Sequence, residues 1–179
     1  VSRELFERQL KWLRDKGYIF LTFPDLLLIR EGKKHMPRWP ALLYFDDGYR
    51  DNYLHAYPIL KRLGIRATIF LVTDCVDQKK LLWESDADPS GAKIFLTWDE
   101  ARVMGDVFDF GTHTVTHRKL PSLTAGEVRE EFTRSRARIE RETGKKVLAL
   151  SYPKSRFSDR VREIATEEGF DFILARIGK

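Results

Sequence analysis

The sequence predicts an α/β protein, a distorted or incomplete (β/α) barrel of TIM-like type with about six parallel strands. Three observations carry that reading. Strand-like and helix-like segments alternate along the chain with no hairpin turn between consecutive strands, as parallel sheets require. Two clusters of metal-type residues each follow a strand-like run, which places them at C-terminal strand ends, where barrel enzymes gather their chemistry. The length, 179 residues, falls short of the roughly 250 residues of a closed eightfold barrel. One domain, 1–179, is expected.

The elements follow in order. Residues 3–16 set Leu5, Phe6, Leu10 and Leu13 at helical spacing, and Gly17 stops that helix before a strand at 18–22. Residues 24–29 read as a short helical or irregular piece, and 31–40 as a polar, Pro-containing loop. The run Ala41-Leu42-Leu43-Tyr44-Phe45 is a strand ending at Asp46. A helix over about 51–63 ends at Gly64, a strand covers 66–72, and a loop spans about 74–93. Thr97 with Glu100, and Thr124 with Glu127, are capping-box pairs that start two helices on either side of a strand at 107–111. The second helix runs to about 142 and is closed by Gly144. A strand at 147–152, a helix at 158–168 and a strand at 170–175 complete the pattern.

Hydrophobic residues make up 42% and charged residues 33% of the chain, the balance of a globular protein with a heavily charged surface. No stretch approaches the roughly 20 apolar residues of a membrane span. Residues 1–16 carry charges throughout and show no signal peptide. The net charge of +5 is spread out, and the Arg-rich stretch from Arg134 to Arg141 is interleaved with Glu130, Glu131, Glu140 and Glu142, which reads as a solvated helix face. A one-signed stripe with aromatic residues among it is missing, so a nucleic-acid partner is not expected. Attraction to an anionic glycan or cell-wall polymer is only weakly supported. Cys75 is the sole cysteine, which excludes an internal disulfide framework and a thiolate metal cluster and leaves a buried or half-buried thiol.

Two adjacent carboxylates, Asp46 and Asp47, end an apolar strand. They repel each other and resist desolvation, and a bound dication would hold both ionised. Gly48 permits the sharp turn that lets them converge. Downstream, Val107-Phe108-Asp109-Phe110-Gly111 leads into Thr112-His113-Thr114-Val115-Thr116-His117. In an extended strand His113 and His117 would stand about 13 Å apart, at about 3.3 Å per residue. Sharing one cation therefore needs a bend or a helical turn after Gly111, which the hydroxyls of Thr112, Thr114 and Thr116 could support. The set reads as an Asp/His/His metal site with a spare Asp as general base, a donor count that leaves a coordination position open for catalysis. His35 and His55 read as surface or partly packed histidines.

These residues resemble the polysaccharide deacetylases, carbohydrate esterase family 4, with its NodB-homology domain. Phe45-Asp46-Asp47-Gly48-Tyr49 is similar to the family's first motif, and His113-Thr114-Val115-Thr116-His117 to its second. Ala56-Tyr57-Pro58-Ile59-Leu60, Ala67-Thr68-Ile69-Phe70 and Thr97-Trp98-Asp99-Glu100 fit as well, so the likeness reaches from near the N-terminus to about Phe172. The resemblance implies Asp46 as catalytic base and Asp47, His113 and His117 as metal ligands. It also implies a divalent cation, zinc first with cobalt or nickel as alternatives, and work at the cell envelope or outside the cell. The third motif departs from the family. Where a Pro is followed by an aromatic residue and Gly, this chain has Ser151-Tyr152-Pro153-Lys154-Ser155. Ser151 stands where some members carry an Arg that orients the base, and Lys154 replaces an aromatic groove wall. The resemblance still implies the Lys154 backbone N–H as oxyanion donor, with Tyr152 and Pro153 at the substrate. The family's C-terminal motif supplies a His as general acid, and no His follows His117 in this sequence. Either the sequence is a fragment of the family domain, or the leaving amine is protonated differently, or activity is reduced.

The expected activity is metal-dependent removal of acetyl groups from N-acetylated sugars of a polysaccharide of chitin, peptidoglycan or exopolysaccharide type. The alternatives are a catalytically weak sugar-binding homologue and a related metal amidase acting on another C–N amide.

Overall fold

The computed structural model describes residues 1–78 and 94–175, and most of the expected loop at 74–93 lies outside them. Among the described residues seven parallel strands form two sheets. β1 (Ile19–Leu21) pairs with β2 (Pro40–Leu42). β3 (Tyr44–Phe45), β4 (Ala67–Leu71), β5 (Phe108–Thr112), β6 (Ala149–Ser151) and β7 (Phe172–Leu174) lie side by side in chain order. The two sheets meet at one seam. The single strand expected over 41–46 changes partner at Leu43: β2 pairs with β1, while the Leu43 carbonyl already accepts from the Thr68 N–H on β4. This division raises the count above the expected six. The curled sheet is a half-barrel, as the alternation of elements predicts.

Helices cover both faces of the larger sheet. α3 (Tyr57–Leu63), α4 (Trp98–Val103), α5 (Ala125–Thr143) and α6 (Asp159–Glu167) bury one face against Ile69, Leu71, Phe108, Phe110 and Leu150. The other face holds Phe70 and Ala149 under α2 (Phe23–Arg30). The sequence left α2 undecided between helix and irregular chain. Thr22 and Asp25 form a complete capping box there, and Phe23 sets its ring edge-on to Phe70 and tilted against Phe172. α1 (Arg3–Asp15) lies at the start of the chain and buries Leu10 in the larger core. Among the described residues no helix is long and apolar enough to cross a membrane.

Two local departures have physical causes. The helix expected over 51–63 is π-helical at Asn52–Ala56 and becomes α-helical only from Tyr57. In a continuous α-helix Pro58 would clash with the carbonyl four residues back and leave it without a donor, and the wider turn relieves both. Gly111 sits inside β5 because a Cβ there would come within 2.3 Å of the Phe70 ring. Only a bare backbone lets that ring lie across the strand immediately before the His113 segment.

Candidate metal centre

The candidate residues meet at the C-terminal ends of β3, β5 and β6, in a cleft of about 210 Å³ bordered by Asp46, Asp47, His113, His117, Tyr152, Lys154 and Ser155. Asp46 and Asp47 leave β3 through a tight turn in which both Asp47 (φ 71°) and Gly48 (φ 79°) are left-handed. The glycine the sequence singled out thus supplies only half of the bend. Arg50 ties this turn to the start of α4, its Nε donating to Glu100 Oε1 at 2.7 Å, while the other oxygen of Glu100 caps Thr97. The Leu96 N–H donates to the Gly48 carbonyl at 3.0 Å.

The second segment does not become helical. His113 continues β5, its N–H donating to the Leu71 carbonyl at 2.9 Å, and the chain then doubles back through left-handed Thr114 (φ 73°) and His117 (φ 58°). Two of the three threonine hydroxyls support the bend as expected. Thr112 Oγ1 accepts from the Thr114 N–H at 3.0 Å, and Thr114 Oγ1 from the His117 N–H at 3.1 Å. The third, on Thr116, donates instead to Glu131. Left-handed backbone is costly for residues other than glycine, and five of the six such residues among those described (Asp47, Thr114, His117, Lys154 and Ser155) border this cleft or form its turns. Strain concentrated in this way marks a functional geometry held by its surroundings.

The result is a compact donor set. Asp47 Oδ1 lies 3.5 Å from His113 Nε2 and 3.4 Å from His117 Nε2. Two ligands at about 2.0–2.1 Å from a tetrahedral cation stand about 3.4 Å apart, so the spacing already suits one. The protonation state suits it as well. The His113 ring, 3% exposed as a residue, places Nδ1 2.8 Å from the Ser151 carbonyl. A carbonyl only accepts, so Nδ1 carries the hydrogen and Nε2 presents its lone pair to the cleft. Burial pushes the His113 pKa down to about 4 against a smaller opposing effect of that hydrogen bond. Burial first, then the charge of His113, lowers His117 to about 4 too. Both rings are neutral at pH 7, as ligands must be.

These shifts have a consequence for the metal-free protein. Each imidazole has an ordinary pKa of 6.5 and a folded value near 4, so between those limits the unfolded chain binds more protons than the folded one. Stability therefore rises with pH across that window, is fully present above 6.5, and is lost as pH falls toward 4. Asp46, whose pKa is raised, works in the opposite sense with one proton against two. Thermal melting of chelator-treated protein between pH 7 and pH 4.5 should show a falling midpoint. A flat or rising midpoint would contradict neutral buried histidines.

Asp46 borders the same cleft. Desolvation of its carboxyl raises its pKa, opposed by a hydrogen bond from the Ser151 side chain and by the charge of His117. Ser151 therefore serves both halves of the site, its hydroxyl on Asp46 and its carbonyl on His113. Tyr152 borders the cleft but is only 2% exposed, and its ring stacks on Phe157. Pro153 is buried at the start of a tight turn, and Lys154 is exposed at the cleft edge with φ 55°. His35 and His55 are exposed away from the cluster, and Cys75 is fully buried.

One residue of the site is the reverse of its expectation. Glu131, read from the sequence as part of a solvated face, is 3% exposed and points inward. Its Oε2 accepts from the N–H groups of Val115 at 2.8 Å and Thr116 at 2.9 Å, and Oε1 from Arg118 Nη2 at 3.3 Å and the Thr116 hydroxyl. The signal lies in the helical period: Val128, Glu131, Phe132, Ser135 and Ile139 form one buried stripe of α5. Of the arginines, Arg134 is exposed as expected, whereas Arg136 turns inward: its guanidinium lies 3.8 Å from the centre of the Phe170 ring and donates to the Glu168 carbonyl at 2.8 Å. Arg134, Arg138 and Arg141 line a separate cleft of about 390 Å³ beside Thr73 and Asp74, with Arg138 and Arg141 both against Glu142.

With this geometry in place, comparison with known proteins is decisive for kinship. The family model for polysaccharide deacetylase matches residues 33–173. The chain belongs to the polysaccharide deacetylase family. It is 30% identical over 171 residues to a Bacillus subtilis protein named after the same family, covering 95% of this chain and 56% of that one. A Staphylococcus aureus poly-beta-1,6-N-acetyl-D-glucosamine N-deacetylase shares 38% identity over 79 residues, 44% of this chain and 27% of the relative. Among solved structures, a Streptococcus pyogenes deacetylase in complex with acetate superposes with a TM-score of 0.82 at 26% identity, covering 96% of this chain and 71% of that chain. The chain thus spans little more than half the length of the Bacillus relative. The family is metal-dependent, and Asp47, His113 and His117 form a possible metal site here, their donor atoms within 4.8 Å of one another.

Proposed function

We propose that this deacetylase-family domain hydrolyses the N-acetyl groups of amino sugars in a polysaccharide, using a divalent cation, zinc first, held by Asp47, His113 and His117. The observation that carries the reading is the convergence of one carboxylate oxygen and two neutral imidazole nitrogens at 3.4–3.5 Å, with a second carboxylate bordering the same cleft. When bound, the cation supplies Lewis-acid polarisation of the acetyl carbonyl and lowers the pKa of a water.

The chain's own residues supply the rest. Asp46, bordering the same cleft as the three donors, takes the proton of the attacking water as general base. The Ser151 side chain holds the Asp46 carboxyl in place, the task an Arg performs in other members. Lys154, at the cleft edge in a left-handed turn, would offer its backbone N–H to the developing oxyanion, a role independent of the side chain. The water oxygen joins the acetyl carbon, the C–N bond breaks, and Asp46 or solvent returns a proton to the departing nitrogen. Acetate and a free amino sugar are the products. Tyr152 forms part of the cleft wall, Pro153 starts the turn that carries Lys154, and exposed Lys154 at the cleft edge meets the glycan.

The test is acetate release from β-1,6- and β-1,4-linked N-acetylglucosamine oligomers and from peptidoglycan, by chelator-treated protein with and without added Zn²⁺ or Co²⁺. Cation-dependent release from at least one glycan is expected. No release from any of them by the metal-loaded protein would overturn the activity and favour a sugar-binding homologue.

A further inference from the structure

We propose that Glu131 sets the metal affinity of the site by locking the turn between His113 and His117 into the shape that presents both imidazoles. The inference rests on the metal reading above and concerns what maintains it. The backbone N–H groups of Val115 and Thr116 lie between the two histidines in sequence, and both donate to a single oxygen of Glu131. The remaining oxygen takes the Thr116 hydroxyl and the Arg118 guanidinium. One turn further along α5, Ser135 Oγ lies 2.6 Å from Thr112 Oγ1, fixing the residue just before His113. On its other side the turn is held by the Thr73 and Asp74 N–H groups, which donate to the carbonyls of Thr114 and Val115.

The backbone explains why such a clamp is needed. Thr114 and His117 both occupy the left-handed region, which a free chain leaves readily, above all at a β-branched residue. If the turn relaxes, His117 swings away from Asp47, and the two Nε2 atoms no longer share one neighbour at 3.4–3.5 Å. α5 resists that movement because Val128, Phe132 and Ile139 are fully buried in the core. Glu131 transmits the rigidity of the helix to the loop through backbone atoms, which makes it a positioning residue.

The experiment measures the Zn²⁺ dissociation constant by competition with a chromophoric chelator, at a temperature where every protein compared is folded by circular dichroism. Glu131→Ala should weaken Zn²⁺ binding by about 10–100-fold, the range for groups that orient metal ligands. Glu131→Gln keeps the shape and one acceptor oxygen, and should fall between Ala and the parent. If the Ala variant does not fold, the Gln variant carries the test. Ile139→Val, a small deletion in the same helix core, should lower the melting temperature while leaving affinity unchanged. Parent-like affinity in the folded Glu131 variants, with tight binding in the parent, would overturn this inference alone. An equal loss in Ile139→Val would reduce Glu131 to a general stabiliser and also overturn it. Failure of the parent to bind Zn²⁺ would remove the metal reading and this inference with it.

Discussion

Asp46→Asn should abolish deacetylation while the protein keeps its cation. Asparagine preserves the size of the side chain and an oxygen for the Ser151 hydroxyl, and removes only the capacity to take a proton. The three converging donor atoms belong to Asp47, His113 and His117, so the cation affinity should stay within a few-fold of the parent. A positioned general base contributes about 10²–10⁴ in rate, and acetate release should fall by that order. Chelator competition run beside the acetate assay separates the two quantities. Activity within tenfold of the parent would remove Asp46 from the base role, and a parallel loss of cation would show that it is a ligand.

The likeness between sequence and structure is closest where one local signal has one local cause. Thr97 with Glu100 and Thr124 with Glu127 each form the capping box their spacing predicts, and Gly144 ends α5 in the left-handed conformation expected of it. The placement of both metal motifs at strand ends was legible because apolar runs stop abruptly at charged or polar residues there. Features that depend on two distant segments were not legible. The change of partner at Leu43 depends on where β1 and β4 lie, and nothing in residues 41–46 encodes it. The π-helical turn at Asn52–Ala56 was readable in principle from Pro58, whose cost to a continuous helix is local.

Glu131 and Ser151 show the limit more sharply. Charge alone assigned Glu131 to solvent, whereas its place in the buried stripe of α5 and the unsatisfied N–H groups of a loop it meets 15 residues away in sequence draw it inward. Ser151 is a loss when compared with an Arg of other members, but in this fold its hydroxyl reaches Asp46 and its carbonyl orients His113. A short side chain reaches Asp46 because the backbone of β6 already sits beside both partners.

His113→Ala is the second large effect, and it differs in kind from the first. Removing the ring deletes one of three donors, so cation affinity should fall by more than the roughly 10–100-fold that an outer-shell change costs, and acetate release should disappear with it. The Ser151 carbonyl loses its donor in a buried place, at a cost of about 1–3 kcal/mol, so the melting temperature of the metal-free protein should fall as well. His113→Gln retains a donor for that carbonyl and should recover stability without recovering affinity. The two sites must also be coupled. In the proposed mechanism Asp46 acts on a water that the cation activates, so once the cation is gone the base would have nothing to accelerate. Adding Asp46→Asn to His113→Ala should therefore cost almost nothing further, as for residues that act as a unit. If the losses in acetate release multiply instead, Asp46 works independently of the cation, and the shared mechanism proposed for these residues fails even if each single variant behaves as expected.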